Sequence, residues 1–291
     1  MEYNEFKNRL LMLVQKKLEG EAEAFFLTRE KNNQTEKEGI CIQKTDGTQQ
    51  TVIYLQELYD SYAGAADFER MAEKLITIFR RSEDMPGADI LQDWESVKDA
   101  VQIRLVKKDW NRENLKSLVY REYLDFAVVL VAELYAEGGW SGSTPVKKES
   151  LELWGISGDE AYQKAVENLK REDYYIVSMD KLLPEGYPEV QLGEWEMYVL
   201  MREKKGFGAG LMLREDILHR FAEEQECSLY ILPSSRHELI LVKQEEDTDS
   251  ECLKEAVRLA NAEPDVLMPE DLLSDNVYYY DRETREITIV P

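Results

Sequence analysis

The sequence predicts an α+β protein with two lobes, and three observations predict it. Segments with helical periodicity alternate with segments of period two or continuous apolar character. The C-terminal half runs strand, strand, helix in "EWEMYVLMRE", "AGLML", "REDILHRFAEEQ", and again in "CSLYIL", "HELILV", "SECLKEAVRLAN". Between the halves, "AEGGWSGSTPVKK" concentrates glycine, serine and proline, which places the lobes at 1–145 and 146–291. The C-terminal lobe is expected to be a mainly antiparallel sheet built from the two strand-strand-helix units, with helices on one face.

Each element has its own warrant. Near the start, Phe6, Leu10, Leu13, Val14 and Leu18 recur at helical spacing with charges between them, which makes an amphipathic helix rather than a signal peptide. "EAEAFFLTRE" and "EGICIQK" read as paired strands joined by "KNNQTEK". "VIYLQELYDSYAG" and "DFERMAEKLITIFRR" read as helices, the second with Asp67 as N-cap and a stripe of Phe68, Met71, Ala72, Leu75 and Phe79. "VQIRLV" and "YLDFAVVLVAELY" read as strands. Ser157 with Glu160 three positions on is the capping-box pattern that starts a helix. Pro264 ends the last helix, and "VYYYDRETREITIV" closes the chain as a hairpin around "DRETR".

Composition narrows the function. With 291 residues and 43% hydrophobic content, the chain can bury a sizeable core. Its three cysteines, Cys41, Cys227 and Cys252, form no C-x-x-C and read as reduced thiols of a cytosolic protein. The apolar run "FAVVLVA" is far too short to span a bilayer. A net charge of −23 repels phosphate backbones and anionic headgroups, so direct nucleic-acid binding and a membrane role are disfavoured. Residues 244 to 291 hold fourteen acids against four bases, a local net of −10, which offers a face to a basic partner.

"YILPSSRHELILV", Tyr230 to Val242, gathers the groups that nucleophilic catalysis uses, and its candidate residues are Ser234, Ser235, His237 and Glu238. Neighbouring strand side chains point to opposite faces, however, so His237 and Glu238 should not act as a pair. The expected arrangement is an antiparallel hairpin over 228–243 with Pro233 to Arg236 at its tip. Leu239 and Leu241 then share one face and Glu238, Ile240 and Val242 the other. His237 should be partly buried, bonded to the hydroxyls of Ser234 or Ser235 or to backbone of the same turn. His219 turns roughly 200° away from the apolar face of its helix and should be exposed. No metal-binding spacing occurs, since H-E-x-x-H would need histidine where Leu241 stands, and no cofactor is expected. "SMDK" at Ser178 and "SDN" at Ser274 match two penicillin-binding-enzyme motifs, but the first follows a strand-like run and no K-T-G comes after. "GFGAG" resembles a phosphate loop, yet a strand is expected after it, and its glycines read as a hairpin turn.

With "LPSS-x-HE" as the most specific piece (Leu232, Pro233, Ser234, Ser235, His237, Glu238), the chain resembles a bacterial family found in gut Firmicutes. That family is known as domain of unknown function 5688. The upstream "YVLMREKKGFGAGLML", "LDFAVVLVAEL" and "LWGISGDEAYQKAVENL" extend the resemblance over nearly the whole chain. It implies a bacterial, cytoplasmic protein and supplies no activity, ligand or catalytic residue. The function expected is that of a non-enzymatic, acidic interaction protein binding a basic protein partner, in one version by mimicking nucleic acid. The alternative is a hydrolase or transferase with Ser234 or Ser235 as nucleophile, His237 as base and Arg236 as anion clamp.

Overall fold

The computed structural model describes residues 1–47, 50–62, 67–81, 90–136, 140–182, 195–203, 206–233, 235–263 and 267–291. They form two compact units, one of residues 1–90 with 134–142, the other of 91–133 with 143–291.

In the first unit, helix α1 (Tyr3–Lys17) precedes the antiparallel strands β1 (Ala22–Glu30), β2 (Glu36–Lys44) and β3 (Gln50–Tyr54), then α2 (Gln56–Asp60) and α3 (Asp67–Arg81). The stripe predicted for α1 holds: Phe6, Leu10, Val14 and Leu18 have no exposed surface, while Leu13 packs at the margin. They meet Phe68, Ala72, Leu75 and Phe79 of α3, with the Phe6 and Phe68 rings 5.4 Å apart. Each such buried side chain contributes about 1.5–3 kcal/mol of transfer free energy, which is why two amphipathic helices can cover a small sheet stably. One expectation fails here. "VIYLQELYDSYAG" is not one helix: Val52 and Ile53 pair with Cys41 and Ile40 in β3, and among its described residues only Gln56–Asp60 turn helical. The β-branched pair prefers the pleated strand.

The second unit begins with α4 (Trp94–Val97), capped by the Asp93 carboxylate on the Ser96 N–H. It continues through β4 (Val101–Lys107), α5 (Arg112–Leu115), β5 (Tyr120–Tyr123), β6 (Phe126–Ala136) and β7 (Trp140–Pro145), of which residues 134–136 and 140–142 fall in the first unit, then α6 (Lys148–Trp154), α7 (Gly158–Lys170) and β8 (Tyr174–Ser178). After these come β9 (Met197–Arg202), α8 (Glu215–Glu224), β10 (Leu229–Leu232), β11 (Glu238–Lys243), α9 (Ser250–Ala262), β12 (Tyr278–Tyr280) and β13 (Ile287–Ile289). Ser157 caps α7 through the Glu160 N–H at 3.1 Å, as its spacing predicts. β4, β6 and β5 lie in that order in one antiparallel sheet, with β7 also on β6. The larger sheet is wholly antiparallel, in the order β13-β12-β10-β11-β9-β8. The α+β class and the antiparallel sheet are therefore as expected, and β12 and β13 form the closing hairpin.

Three details of the expected architecture differ. The stretch 91–133, assigned by glycine content to a lobe ending at 145, belongs with the C-terminal strands. "AGLML" is not a strand: Gly208–Leu213 is a 3-10 helix whose Gly208, Ala209, Gly210, Leu211 and Met212 are all buried. The first unit of the echo is thus strand, 3-10 helix, helix, and only the second is strand, strand, helix. Helices also cover both faces of the sheet, not one. Tyr198 of β9, which pairs with Leu241, stacks on Phe221 of α8 at 5.0 Å, whereas Val242, of opposite parity, clusters with Leu253 and Val257 of α9. Because β11 is apolar at both parities, neither face could be left wet.

A buried ion network joins the two sheets. Arg202 of β9, 4% exposed, donates two 3.2 Å bonds to Glu133 of β6, itself 6% exposed, and one to Glu172. Arg104 of β4 reaches the same Glu133 at 3.3 Å. Burial works against the Arg202 charge, but Glu133 and Glu172 outweigh it and raise its pKa. Burial dominates at Arg104, pushing it down to about 10 against the pull of Glu133. Removing the shared acid would leave one buried guanidinium and one partly buried guanidinium under-compensated. Glu133→Gln should therefore lower unfolding free energy by about 3 kcal/mol in urea titration, and Arg202→Met, which leaves Glu133 paired with Arg104, by roughly half as much. Equal losses, or none, would show that Glu133 is not the shared centre.

Candidate functional site

The stretch singled out in the sequence forms the tip of the β10–β11 hairpin. Ile231 pairs with Leu241 and Leu232 with Ile240, and Leu239 and Leu241 are fully buried on one face with Ile240 and Val242 on the other, as alternation requires. Ser234 lies outside the described residues. Ser235 is 1% exposed, and its hydroxyl donates to Glu238 Oε1 at 2.6 Å while accepting the His237 N–H at 2.9 Å. That bond closes the turn on itself.

His237 is half-buried, as expected, but its ring partners lie elsewhere. Nδ1 accepts the N–H of Phe207 at 3.1 Å, which places the ring proton on Nε2, and Nε2 faces Asp271 Oδ1 at 3.2 Å. The expected bond to a turn hydroxyl is thus replaced by contacts to two distant segments; only the His237 backbone N–H meets Ser235. Arg236 completes the anchoring, with Nε on Asp271 Oδ1 at 2.6 Å and its N–H on the Asp271 carbonyl at 2.9 Å. Phe207 lies against this group, its ring 5.2 Å from that of His237, with the guanidinium of Arg104 3.4 Å and that of Arg236 4.9 Å from its centre.

The glycines of "GFGAG" serve this junction and not a hairpin turn. Phe207 itself adopts a left-handed φ of 57°. A Cβ on Gly208 would come within 2.5 Å of the His237 carbonyl oxygen, so only glycine lets the two backbones meet. The amides that a phosphate would need are spent: Phe207 N–H on His237 Nδ1, Gly208 N–H on the His237 carbonyl at 2.8 Å, Ala209 N–H on the Arg236 carbonyl at 3.3 Å. Chemically, this arrangement positions side chains. Both ring nitrogens of His237 are engaged away from Ser235 Oγ, and the side chain in contact with that hydroxyl is Glu238, not the His237 ring.

"SDN" and "SMDK" part company. Ser178 ends β8 and Lys181 is exposed beyond it. Ser274, fully buried, has its hydroxyl 2.9 Å from that of Tyr278 and accepts from Lys107 Nζ at 3.2 Å, while Asp125 accepts the Tyr278 proton at 2.5 Å and bonds from Asn276 at 2.8 Å and from Lys107. Burial raises the Asp125 carboxyl, yet Lys107 and Tyr278 outweigh it and hold it low; burial and Asp125 push the Tyr278 phenol up. The cluster ties the segment after α9 to the β5–β6 turn. His219 is corrected too: it is half-buried, it lines a cleft that α7 also borders, and its Nδ1 has no hydrogen-bond partner among the described residues. Among the described residues no group of acids, histidines and cysteines could hold a metal ion. Asp271, Phe207 and Arg104 escaped the sequence reading; the glycines flanking Phe207 were the one signal.

The match to the family model of unknown function DUF5688 spans residues 3–282, and the chain belongs to that family. No curated protein and no solved structure matches it.

Burial would raise the Asp271 carboxyl, but the bond from His237 and the charge of Arg236 outweigh it and hold it below 3.8. The stability this carboxylate adds is therefore present above that pH and lost as pH falls through the lowered value. Asp271→Asn should lower the urea midpoint at about pH 6 and make little difference at about pH 2; an equal deficit at both would refute the ion pairing. His237→Ala should cost about 1 kcal/mol in the same titration.

Proposed function

We propose that the chain is a non-enzymatic, acidic protein of the bacterial cytoplasm that binds a basic protein partner. The observation that carries this reading is a run of exposed acids, Glu245, Glu246, Asp247, Asp249, Glu251 and Glu255, along the β11–α9 loop and the first turns of α9. Lys243, Lys254 and Arg258 pair with Glu245, Glu251 and Glu255, while Glu246 and Asp247 have no ion-pair partner among the described residues. Such a face steers a cationic partner and loses its grip as salt screens it. The three free thiols of Cys41, Cys227 and Cys252 fit a reducing compartment. Among the described residues no helix is long and apolar enough to cross a membrane. The hydroxyl of Ser235 is engaged by Glu238, which gives that residue no support as the nucleophile of the hydrolase or transferase alternative.

Affinity capture from a lysate of a related bacterium should recover a basic protein at low salt and release it at high salt. Glu246→Lys combined with Asp247→Lys and Glu255→Lys should weaken that binding by about tenfold or more. Salt-insensitive binding, or binding indifferent to the three reversals, would overturn the proposal. Serine-directed fluorophosphonate labelling that disappears in Ser235→Ala would bring the catalytic alternative forward.

A further inference from the structure

Helices α7 and α8 flank a cleft of about 870 Å³, a volume within the range of small-molecule sites. Its walls combine Val166 and Leu169 of α7 with Leu213 and the ring of Tyr123. Burial pushes the Tyr123 phenol up to about 12, so at neutral pH it is an O–H donor. His219 lines the same cleft, and its Nδ1 is buried without a hydrogen-bond partner among the described residues. A buried polar atom left in that state is unfavourable unless something supplies its partner.

The charges around the cleft set it apart from the rest of the molecule. Arg214 and Asp216 neutralise each other through two 2.7 Å bonds. Of the other lining groups, Lys170, Arg220 and Arg285 face Glu215 and Glu223, an excess of one positive charge in a chain whose net charge is −23. One surplus positive charge matches one negative charge, and the apolar walls need an apolar body to displace their water.

We propose that this cleft binds a small organic monoanion, a carboxylate on an aromatic or branched apolar body, with the His219 ring, turned so that its buried Nδ1 opens to the cleft, and the Tyr123 hydroxyl bonding the carboxylate, and Arg285 closing the rim. A bare anion lacks the body that the walls would desolvate, and a phosphate dianion exceeds the charge available. The site stands apart from the acidic face of α9 and does not depend on any protein partner.

Phenylacetate serves as the probe, with benzyl alcohol, acetate and inorganic phosphate as comparisons, in calorimetric titration and in NMR spectra of the His219 imidazole. Phenylacetate should bind and shift the His219 resonances, with each comparison molecule about tenfold weaker or more. His219→Phe and the surface substitution Arg285→Gln should each weaken phenylacetate about tenfold. Arg285 lies on an exposed turn and its ion pair with Glu215, at 3.9 Å, is a surface one, so Arg285→Gln keeps the test decisive if His219→Phe is poorly folded. The proposal is overturned by an unmoved His219 signal at up to about 10 mM phenylacetate, by equal affinity for benzyl alcohol or tighter binding of phosphate, or by affinity indifferent to Arg285→Gln.

Discussion

The second unit depends on one carboxylate shared by two arginines. Glu133 projects from β6 between Arg104 and Arg202, and those guanidiniums belong to different sheets. Bringing three charges out of water is unfavourable, and the arrangement persists because each partner compensates the others. The geometry allows few alternatives: a two-pronged bond fixes the distance between β6 and β9, and Arg104 is then held where its guanidinium sits over the Phe207 ring. Position at the hairpin tip is in this way inherited from the ion network through an aromatic ring.

That network also shapes the surface. Arg202 is buried, Arg104 and Arg236 partly so, and their acids Glu133 and Asp271 are withdrawn from the surface with them, while buried Arg214 pairs with the exposed Asp216. Cations spent inside cannot soften the exterior. The exposed loop before α9 therefore keeps most of its acidity, and the cleft beside α8, where Arg285 and Lys170 lie outward, is the contrasting region. Charge in this protein is sorted by depth, and the two candidate binding regions are the two outcomes of that sorting.

Much of this was legible in the sequence where a single period governs a segment. Alternation in "HELILV" gave the faces of β11, and the apolar residues at both parities already implied two covered faces. Ser157 announced its helix because a cap needs only local contacts. Ala209 to Met212 misled because a short apolar run bounded by glycines is ambiguous between strand and buried helix until its amides find acceptors, and those acceptors lie beyond it at Arg236 and His237. The wheel of α8 set His219 opposite the sheet but carried no information about α7. Asp271 lies far along the chain from its partners Arg236 and His237, with a whole helix between, and no spacing rule reaches that distance.

The meeting of Gly208 with His237 has a consequence for how the molecule opens. Three successive amides, at Phe207, Gly208 and Ala209, end on the hairpin tip, and the tip's own Arg236 amide ends on Asp271. None is held within its own stretch of chain, so exchange of its proton requires two separate segments to part. Release of the tip must loosen the 3-10 segment and the loop after α9 together, which makes these three short stretches one cooperative unit of local unfolding although each alone is an irregular connection.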